Sequence, residues 1–313
     1  MRLGILSFVV GKEQIAVGTA SIAAEAKARG HYVKILYAKN VSLVFGNGKT
    51  LTYKGEVLNP EDFDAILVRP GFTTDPSVNA SIIKQFQLAG FYVINTYIGV
   101  FRAKNKIRTL QMLNHFNIPV PRTHVVGDAS MLETAVKEFT FPVIIKSIYG
   151  THGTGVFIAE SMRSLAPIVD YLTKKERGFV KVQEYIEEAH GKDIRVFVAG
   201  KKILASMERC AKPGEFRANF HKGGSVGTVE LSSEEKKLAI KAALILGLDV
   251  AGVDMLRTKT GPKIIEVNSN PGLEGISKAT GINVAAKLVN FLERRVETHG
   301  HKNVVLKKKA MKE

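Results

Sequence analysis

Short apolar runs alternate with amphipathic stretches through roughly the first hundred positions, a spacing typical of βα units. Leu3–Val10 is followed by a helical pattern over Val17–Arg29, then His31–Ala38, Ala65–Val68, a helix after Pro76, and Tyr92–Asn95. Gly30 after Lys27 and Arg29 is a helix stop signal. Alternation of this kind predicts an α/β layer with a largely parallel sheet. Lys54-Gly55 inside Thr50–Leu58 predicts an inserted hairpin.

The pattern then changes. A helix is expected from Gly99 to Phe116, ended by Ile118-Pro119-Val120-Pro121 because neither proline continues a helical ladder. Thr123–Val126, a helix near Ser130–Glu138, Val143–Ser147, a glycine loop, Val156–Ala159 and a helix over Ser161–Lys174 make a second compact unit. From Phe179 onward the expected order is strand, a hairpin at Gly200-Lys201, a loop, a helix over Ser232–Gly247, a second hairpin and a closing helix over Asn283–Glu293. The resulting division is an α/β unit over 1–97, a small lobe over 98–178, a large lobe over 179–297 and a basic tail over 298–313.

The second hairpin carries the densest chemistry. If Thr260 is the centre of a three-residue loop, Asp254 and Glu266 lie opposite each other, and Asn268 shares the face of Glu266. Two carboxylates this close repel unless a cation sits between them, and hard oxygen donors favour Mg²⁺ or Mn²⁺ completed by water and phosphate. A solvated hairpin with incidental acids is the competing explanation.

Gly150-Thr151-His152-Gly153-Thr154-Gly155 lets backbone N–H groups and threonine hydroxyls approach an anion, although it lacks the ending of a Walker loop and the βαβ setting of a dinucleotide fingerprint. Lys146, on a strand otherwise built for burial, needs an anionic partner, which a phosphate or an internal carboxylate would supply. Val180–Ile186 suits an extended linker that offers backbone groups to an adenine edge. Downstream, Arg209, Lys212, Arg217, Asn219 and Lys222 crowd a glycine-containing loop fit for carboxylate or phosphate recognition, or for plain exposure.

Composition narrows the function classes. The 313 residues carry a formal charge of +16, which favours anionic partners. Part of it lies in Lys302, Lys307–Lys309 and Lys312, but much lies inside the folded segments, as expected of an anion-binding cleft. The single cysteine, Cys210, rules out an internal disulfide framework, fits a reducing cytoplasm, and is better read as a small core residue than as a nucleophile. No apolar run approaches the roughly 20 residues that span a bilayer. MRLGILSFVV, without a cleavage-like site, reads as a buried strand.

Taken in order, Lys106, the Lys146 strand, the glycine loop, Gln183-Glu184-Tyr185-Ile186, Asp193-Ile194-Arg195, Arg217-Ala218-Asn219, Gly223-Gly224, Val253-Asp254 and Glu266–Gly275 resemble the ATP-grasp superfamily, and most closely its RimK-type glutamate ligases. The resemblance implies an α/β and α+β ATP-grasp fold: an N-terminal pre-ATP-grasp α/β domain followed by two lobes that enclose ATP. It implies that Lys106 and Lys146 contact phosphates, that Gly153, Thr154 and Gly155 belong to a phosphate flap, and that Glu184 and Tyr185 frame the adenine. It further implies that Asp193 touches the nucleotide, that Arg217, Ala218 and Asn219 reach phosphate or transition-state oxygens, and that Arg209 or Arg217 stabilises an oxyanion. Asp254, Glu266 and Asn268 would hold the Mg²⁺ (or Mn²⁺) ions, expected to be two.

The implied activity joins glutamate to the C-terminus of a small-subunit ribosomal protein or an acidic peptide, in the cytoplasm, with no membrane and no need for direct nucleic-acid binding. A homo-oligomer is left open. Rival acceptors are a pterin or deazaflavin coenzyme and an amino-group carrier protein; a rival class is a non-catalytic ribosome- or RNA-binding protein. Asn105, where an Asp commonly precedes the phosphate-binding lysine, the Phe8–Gln14 loop and the basic tail depart from the pattern.

Overall fold

The computed structural model describes residues 1–8, 15–46, 51–71, 76–148, 155–176, 178–212, 215 and 224–310. In the first part, β1 (Arg2–Ser7), α1 (Val17–Ala28), β2 (Tyr32–Tyr37), β3 (Val41–Leu43), β4 (Leu51–Tyr53), β5 (Glu56–Val57), β6 (Ala65–Arg69), α2 (Pro76–Leu88) and β7 (Val93–Ile94) follow in order. Among the described residues the main sheet runs β2-β1-β6-β7 with parallel neighbours, and β3-β4-β5 form the small antiparallel insertion around Lys54-Gly55. β1 and β6 are apolar almost throughout because a parallel sheet is covered on both faces.

The expected helix over Gly99–Phe116 is two helices, α3 (Tyr97–Ala103) and α4 (Lys106–His115). The break falls at Asn105, whose side chain caps α4 by accepting from the N–H groups of Ile107 and Arg108 at 2.9 and 3.1 Å. Asn and Asp cap equally well, so the departure at this position leaves the presentation of Lys106 unchanged. Asn105→Ala is expected to cost about 1 kcal/mol in urea unfolding and Asn105→Asp close to nothing. Equal stability of all three proteins would refute the capping role.

The small lobe comprises β8 (Thr123–Val126), α5 (Leu132–Ala135), β9 (Val143–Ser147), β10 (Val156–Ala159), α6 (Met162–Glu176) and β11 (Val180–Glu184), with sheet order β10-β9-β11-β8. β11 is therefore a full strand between β9 and β8 rather than a free linker, and only Tyr185 and Ile186 lead out of the sheet. Val143, Ile145, Val180 and Val182 pack on Leu165 and Val169 of α6. Alternation then leaves Ile144, Lys146, Lys181 and Gln183 on the opposite face.

The large lobe contains β12 (Lys192–Ala199), β13 (Lys202–Cys210), β14 (Ser225–Thr228), α7 (Ser233–Leu246), β15 (Val250–Thr258), β16 (Gly261–Asn268), α8 (Glu274–Thr280) and α9 (Val284–Ala310). Its antiparallel sheet has the order β14-β13-β12-β15-β16. One face, with Val196, Val198, Val253 and Ile264, packs on Ala239, Ala243 and Leu246 of α7. Phe197, Ala205 and Met207 on the other face join Leu3, Ile5 and Ile22 of the N-terminal layer and Leu288 and Leu292 of α9 in one core. α9 outruns the expected Asn283–Glu293 and continues through the basic segment to Ala310. No helix among the described residues is long and apolar enough to cross a membrane.

Candidate active site

Opposed carboxylates do occur on the second hairpin, by a different route from the three-residue loop. The turn contains only Lys259 and Thr260, with Thr258 opposite Gly261 and Met255 opposite Ile264. Continued unbroken, that register would set Asp254 against Ile265 and aim the two carboxylates at opposite faces. A bulge at Ile265 adds one residue to β16, so that Asp254 faces Glu266 and Gly252 faces Asn268. Gly252 also lets the chain after β16 fold back closely, since a Cβ there would lie 2.9 Å from Pro271 Cβ.

Strand pairing extends the row. Arg195 on β12 pairs with Asp254, and Asp193, two residues earlier on the same face, pairs with Arg209 of β13. Arg195 grips Asp254 with a fork, Nε to Oδ1 at 2.7 Å and Nη2 to Oδ2 at 2.6 Å. Arg209 forks onto Asp193 at 2.6 and 2.8 Å and gives a further bond to Asp254 Oδ2 at 2.9 Å. The cations beside Asp254 are thus guanidinium groups. Burial opposes its ionisation, but Arg195 and Arg209 outweigh that and hold its carboxyl below the usual range. Asp193 has one guanidinium and a neighbouring carboxylate, and burial pushes it up to about 6. Two of the three guanidinium nitrogens of Arg209 are committed to these carboxylates, so the residue expected to meet an oxyanion sits as a buried positioning group.

Glu266 makes no hydrogen bond or ion pair within the described residues, and its charge is felt across the cleft by Lys104, Lys146 and Lys181. Lys146 donates to Gln183 Oε1 at 3.0 Å, and Gln183 donates in turn to Thr123. Burial lowers Lys146, and repulsion from Lys106 adds to the effect. Lys181 lies directly beside Lys146 in the β9–β11 register, is only 2% exposed, and is lowered well below its ordinary value by burial and by Lys146 and Lys106. Burial also takes Lys104 to about 8. A cleft with lysines on one wall and an uncommitted carboxylate on the other is arranged for a polyanion carrying its own cations.

The other expected residues are distributed unevenly. Glu184 is held by Arg122 at 2.7 Å and Lys263 at 2.8 Å, so its carboxylate is committed within the fold, and Tyr185 follows the end of β11. A Cβ on Gly155 would lie 2.9 Å from Ser147 Cβ, and with φ of +75° a side chain there would be strained in any case. Gly153 and Thr154 of the flap, and Arg217, Ala218, Asn219 and Lys222 of the basic loop, lie outside the described residues. The Cys210 thiol is pushed up by burial and by Glu208, the opposite of what a nucleophile needs. Sequence reasoning missed Lys104 and Lys181. For Lys181 the signal was a lysine between two valines in Val180-Lys181-Val182, the same pattern that singled out Lys146.

The family model of the RimK pre-ATP-grasp domain matches residues 1–100, and that of the RimK-like ATP-grasp domain matches residues 103–292. The chain belongs to the RimK-like ATP-grasp family. Among its curated relatives, a probable alpha-L-glutamate ligase of Aliivibrio fischeri (strain MJ11) is 39% identical over 95% of this chain and 97% of its own. Probable alpha-L-glutamate ligase 1 of Shewanella frigidimarina (strain NCIMB 400) is 38% identical over 94% and 97%. Of the solved structures, the ATP-grasp ligase PsnB, complexed with a phosphomimetic variant of its minimal precursor, Mg and ADP, superposes with a TM-score of 0.73 at 17% identity, covering 94% of this chain and 98% of that one. D-alanine–D-alanine ligase from Bacillus anthracis gives 0.69 at 16% identity, covering 97% and 99%. These two share the fold. Family membership makes the chain an ATP-grasp enzyme of the ligase class.

Proposed function

We propose that this protein is an ATP- and Mg²⁺-dependent ligase that joins glutamate to the C-terminal carboxylate of an acidic acceptor, a small-subunit ribosomal protein being the favoured one. The observation that carries the proposal is Glu266, a carboxylate without a hydrogen-bond partner among the described residues, set opposite Asp254 and facing Lys104, Lys146 and Lys181. Relatives named as alpha-L-glutamate ligases support the choice of amino acid, and the peptide precursor bound by PsnB supports a peptide acceptor.

The donor set fits a hard cation. Glu266 offers both oxygens, Asp254 keeps a lone pair on Oδ1 while Oδ2 is taken by two guanidinium donors, and Asn268 would contribute only its amide Oδ1, its buried Nδ2 being a donor without a partner among the described residues and no ligand for a cation. Bound between these groups and the nucleotide, one or two Mg²⁺ ions would offset the charge of the β- and γ-phosphates. Lys106 and Lys146 would hold the same phosphates from the small lobe, and the strand end at Glu184 and Tyr185 would receive the adenine. Arg195 and Arg209 keep Asp254 ionised and fixed in direction. The acceptor carboxylate oxygen attacks the γ-phosphorus of ATP, giving an acyl phosphate and ADP. The glutamate amine then adds to the acyl carbon, loses a proton, and expels phosphate to leave an amide. With Arg209 buried, Arg217 is the better candidate for meeting the oxyanion.

Incubation with ATP, Mg²⁺, a peptide with an acidic C-terminus and each amino acid in turn, read by mass spectrometry, is expected to show mass increments of glutamate alone. Better turnover of a pterin or deazaflavin coenzyme than of any acidic peptide would replace this acceptor. Acceptor capture by the exposed Lys212 is expected to weaken with salt, because solvent-exposed charges are screened within about 8–10 Å at physiological ionic strength, whereas adenine binding by shape is not. Lys212→Glu is therefore expected to raise the half-saturating peptide concentration severalfold at low salt and to leave that of ATP unchanged; a shift in ATP alone would contradict it.

A further inference from the structure

Parallel sheets bind ligands beyond the carboxyl ends of their strands, where successive connections leave in opposite directions. In the order β2-β1-β6-β7 that point lies between β1 and β6. Arg69 is the last residue of β6 and pairs there with Ser7 of β1. Arg69 is 7% exposed, and among the described residues no carboxylate pairs with it. Nη1 donates to the carbonyl of Pro271 at 3.2 Å, while Nε, also buried, has no partner among the described residues. Burial alone lowers its pKa to about 10.

The third nitrogen is directed at the start of α1. A Cβ placed on Gly18 would come within 3.2 Å of Arg69 Nη2, so the guanidinium lies against the first turn of the helix. That turn has no side-chain cap and no acidic residue. Unsatisfied N–H groups and the positive end of the helix dipole therefore coincide with a buried, unneutralised guanidinium. The turn after β16 is tied to the same guanidinium through Pro271, and in it Asn270 donates to the carbonyl of Pro70 at 3.0 Å while its own buried Oδ1, like the Ser269 hydroxyl, has no partner among the described residues. This turn begins at Asn268, one of the groups assigned above to the metal.

We propose that Arg69 and the first turn of α1 seat a carboxylate that takes no part in the chemistry, that of the amino acid whose amine attacks the acyl phosphate. The inference rests on the ligase reading and adds a residue to it. A carboxylate to be phosphorylated must reach the γ-phosphate, beside Glu266 and the lysines. One that stays anionic throughout needs a cation that does not react, and a planar fork matches it with two parallel bonds. The near-complete burial of Arg69 suits a free amino acid better than the side chain of a bound peptide. Asn270 Oδ1 and Ser269 Oγ, on the chain that Pro271 ties to Arg69, would receive the hydrogens of the amine.

Saturation curves for glutamate, ATP and the acceptor peptide, measured on the full-length protein, test this. Arg69→Lys keeps the charge and loses the fork, and is expected to raise half-saturating glutamate about tenfold; Arg69→Met is expected to raise it about a hundredfold or more. ATP and peptide should shift less than threefold in either. In a readout independent of turnover, glutamate alone is expected to raise the melting temperature of the wild type and not that of Arg69→Met, or of Arg69→Lys should the methionine variant fail to fold. Unchanged glutamate saturation would overturn the assignment. So would a selective loss of peptide saturation, which would give the site to an acceptor side chain, and so would an equal loss for all three substrates, which would make Arg69 a clamp between the N-terminal layer and the Pro271 turn. Arg69-dependent stabilisation by glutamate in a protein that ligates nothing would uphold the site and remove the ligase reading. Ligation indifferent to Arg69 would do the reverse.

Discussion

Glu266→Gln is expected to reduce turnover by on the order of 10³-fold and to leave the stability of the ligand-free protein almost unchanged, whereas Asp254→Asn is expected to lose both. The difference follows from their partners. Glu266 has no hydrogen bond to lose within the described residues. Asp254 is 2% exposed and receives three bonds from Arg195 and Arg209, so an amide there would leave the partly buried Arg195 without its carboxylate and the buried Arg209 with Asp193 alone. Removing one partner of such a network costs about 3–5 kcal/mol. The contribution has a definite pH dependence. The folded pKa of Asp254 lies below its unfolded value, so its stabilisation is fully present above about pH 3.9 and is lost as pH falls through the folded value. Urea unfolding of the two variants, with turnover measured at saturating Mg²⁺, separates the roles. Equal stability of both variants would dismiss the network, and near wild-type turnover of Glu266→Gln would dismiss the metal assignment.

Simple carboxylate repulsion would have made Asp254→Asn stabilising, and the reason it does not is visible only in strand pairing. The sequence places Asp193 and Arg195 on one face of a strand, but not the neighbours of that strand. Once β12 lies between β13 and β15, Arg195 falls opposite Asp254 and Arg209 opposite Asp193, and four charges close on themselves. The opposition of Asp254 and Glu266 was legible for a reason that turned out incomplete. Counting from a symmetric three-residue loop gives the same pairing as a two-residue turn plus a bulge, and Ile265 carries no glycine or proline that would mark the bulge in advance. The break between α3 and α4 did have a signal, an asparagine ahead of a periodic stretch, but the continuous helical pattern over 99–116 masked it. The βα alternation, the inserted hairpin, the Gly200-Lys201 hairpin and the Ser232–Gly247 helix with its capping box were all readable, because local chemistry and the hydrophobic period agree there. What escaped were the residues whose meaning comes from other strands: Lys181, Lys104 and the buried role of Arg209.

Lys181→Met is expected to stabilise the ligand-free protein by on the order of 1–4 kcal/mol, the scale found when buried charged groups give way to apolar ones of similar volume. The side chain stands on β11 with Lys146 beside it on β9, and Lys106 at the start of α4 adds repulsion. Glu266 on β16 is the facing carboxylate that acts on it, and its pull is the smallest of these influences. Desolvation leads, and it disfavours the charged form. The sign of the pH effect follows. A lysine whose folded pKa is depressed binds fewer protons in the folded chain than in the unfolded one over the interval between the two values, so stability rises with pH across that interval. Lys104 alone gives such a rise from about pH 8 to about 10.4, and Lys181 extends it to lower pH. Replacing Lys181 with methionine should flatten the lower part of the rise and leave the Lys104 part in place. Denaturant unfolding of wild type and variant at several pH values between about 6 and 10 measures both the gain and its slope. A variant less stable than wild type at neutral pH, or a slope unchanged by the substitution, would mean that Lys181 keeps its proton in the folded protein with its charge offset by its surroundings, and that the repulsion between these lysines is weaker than their geometry indicates.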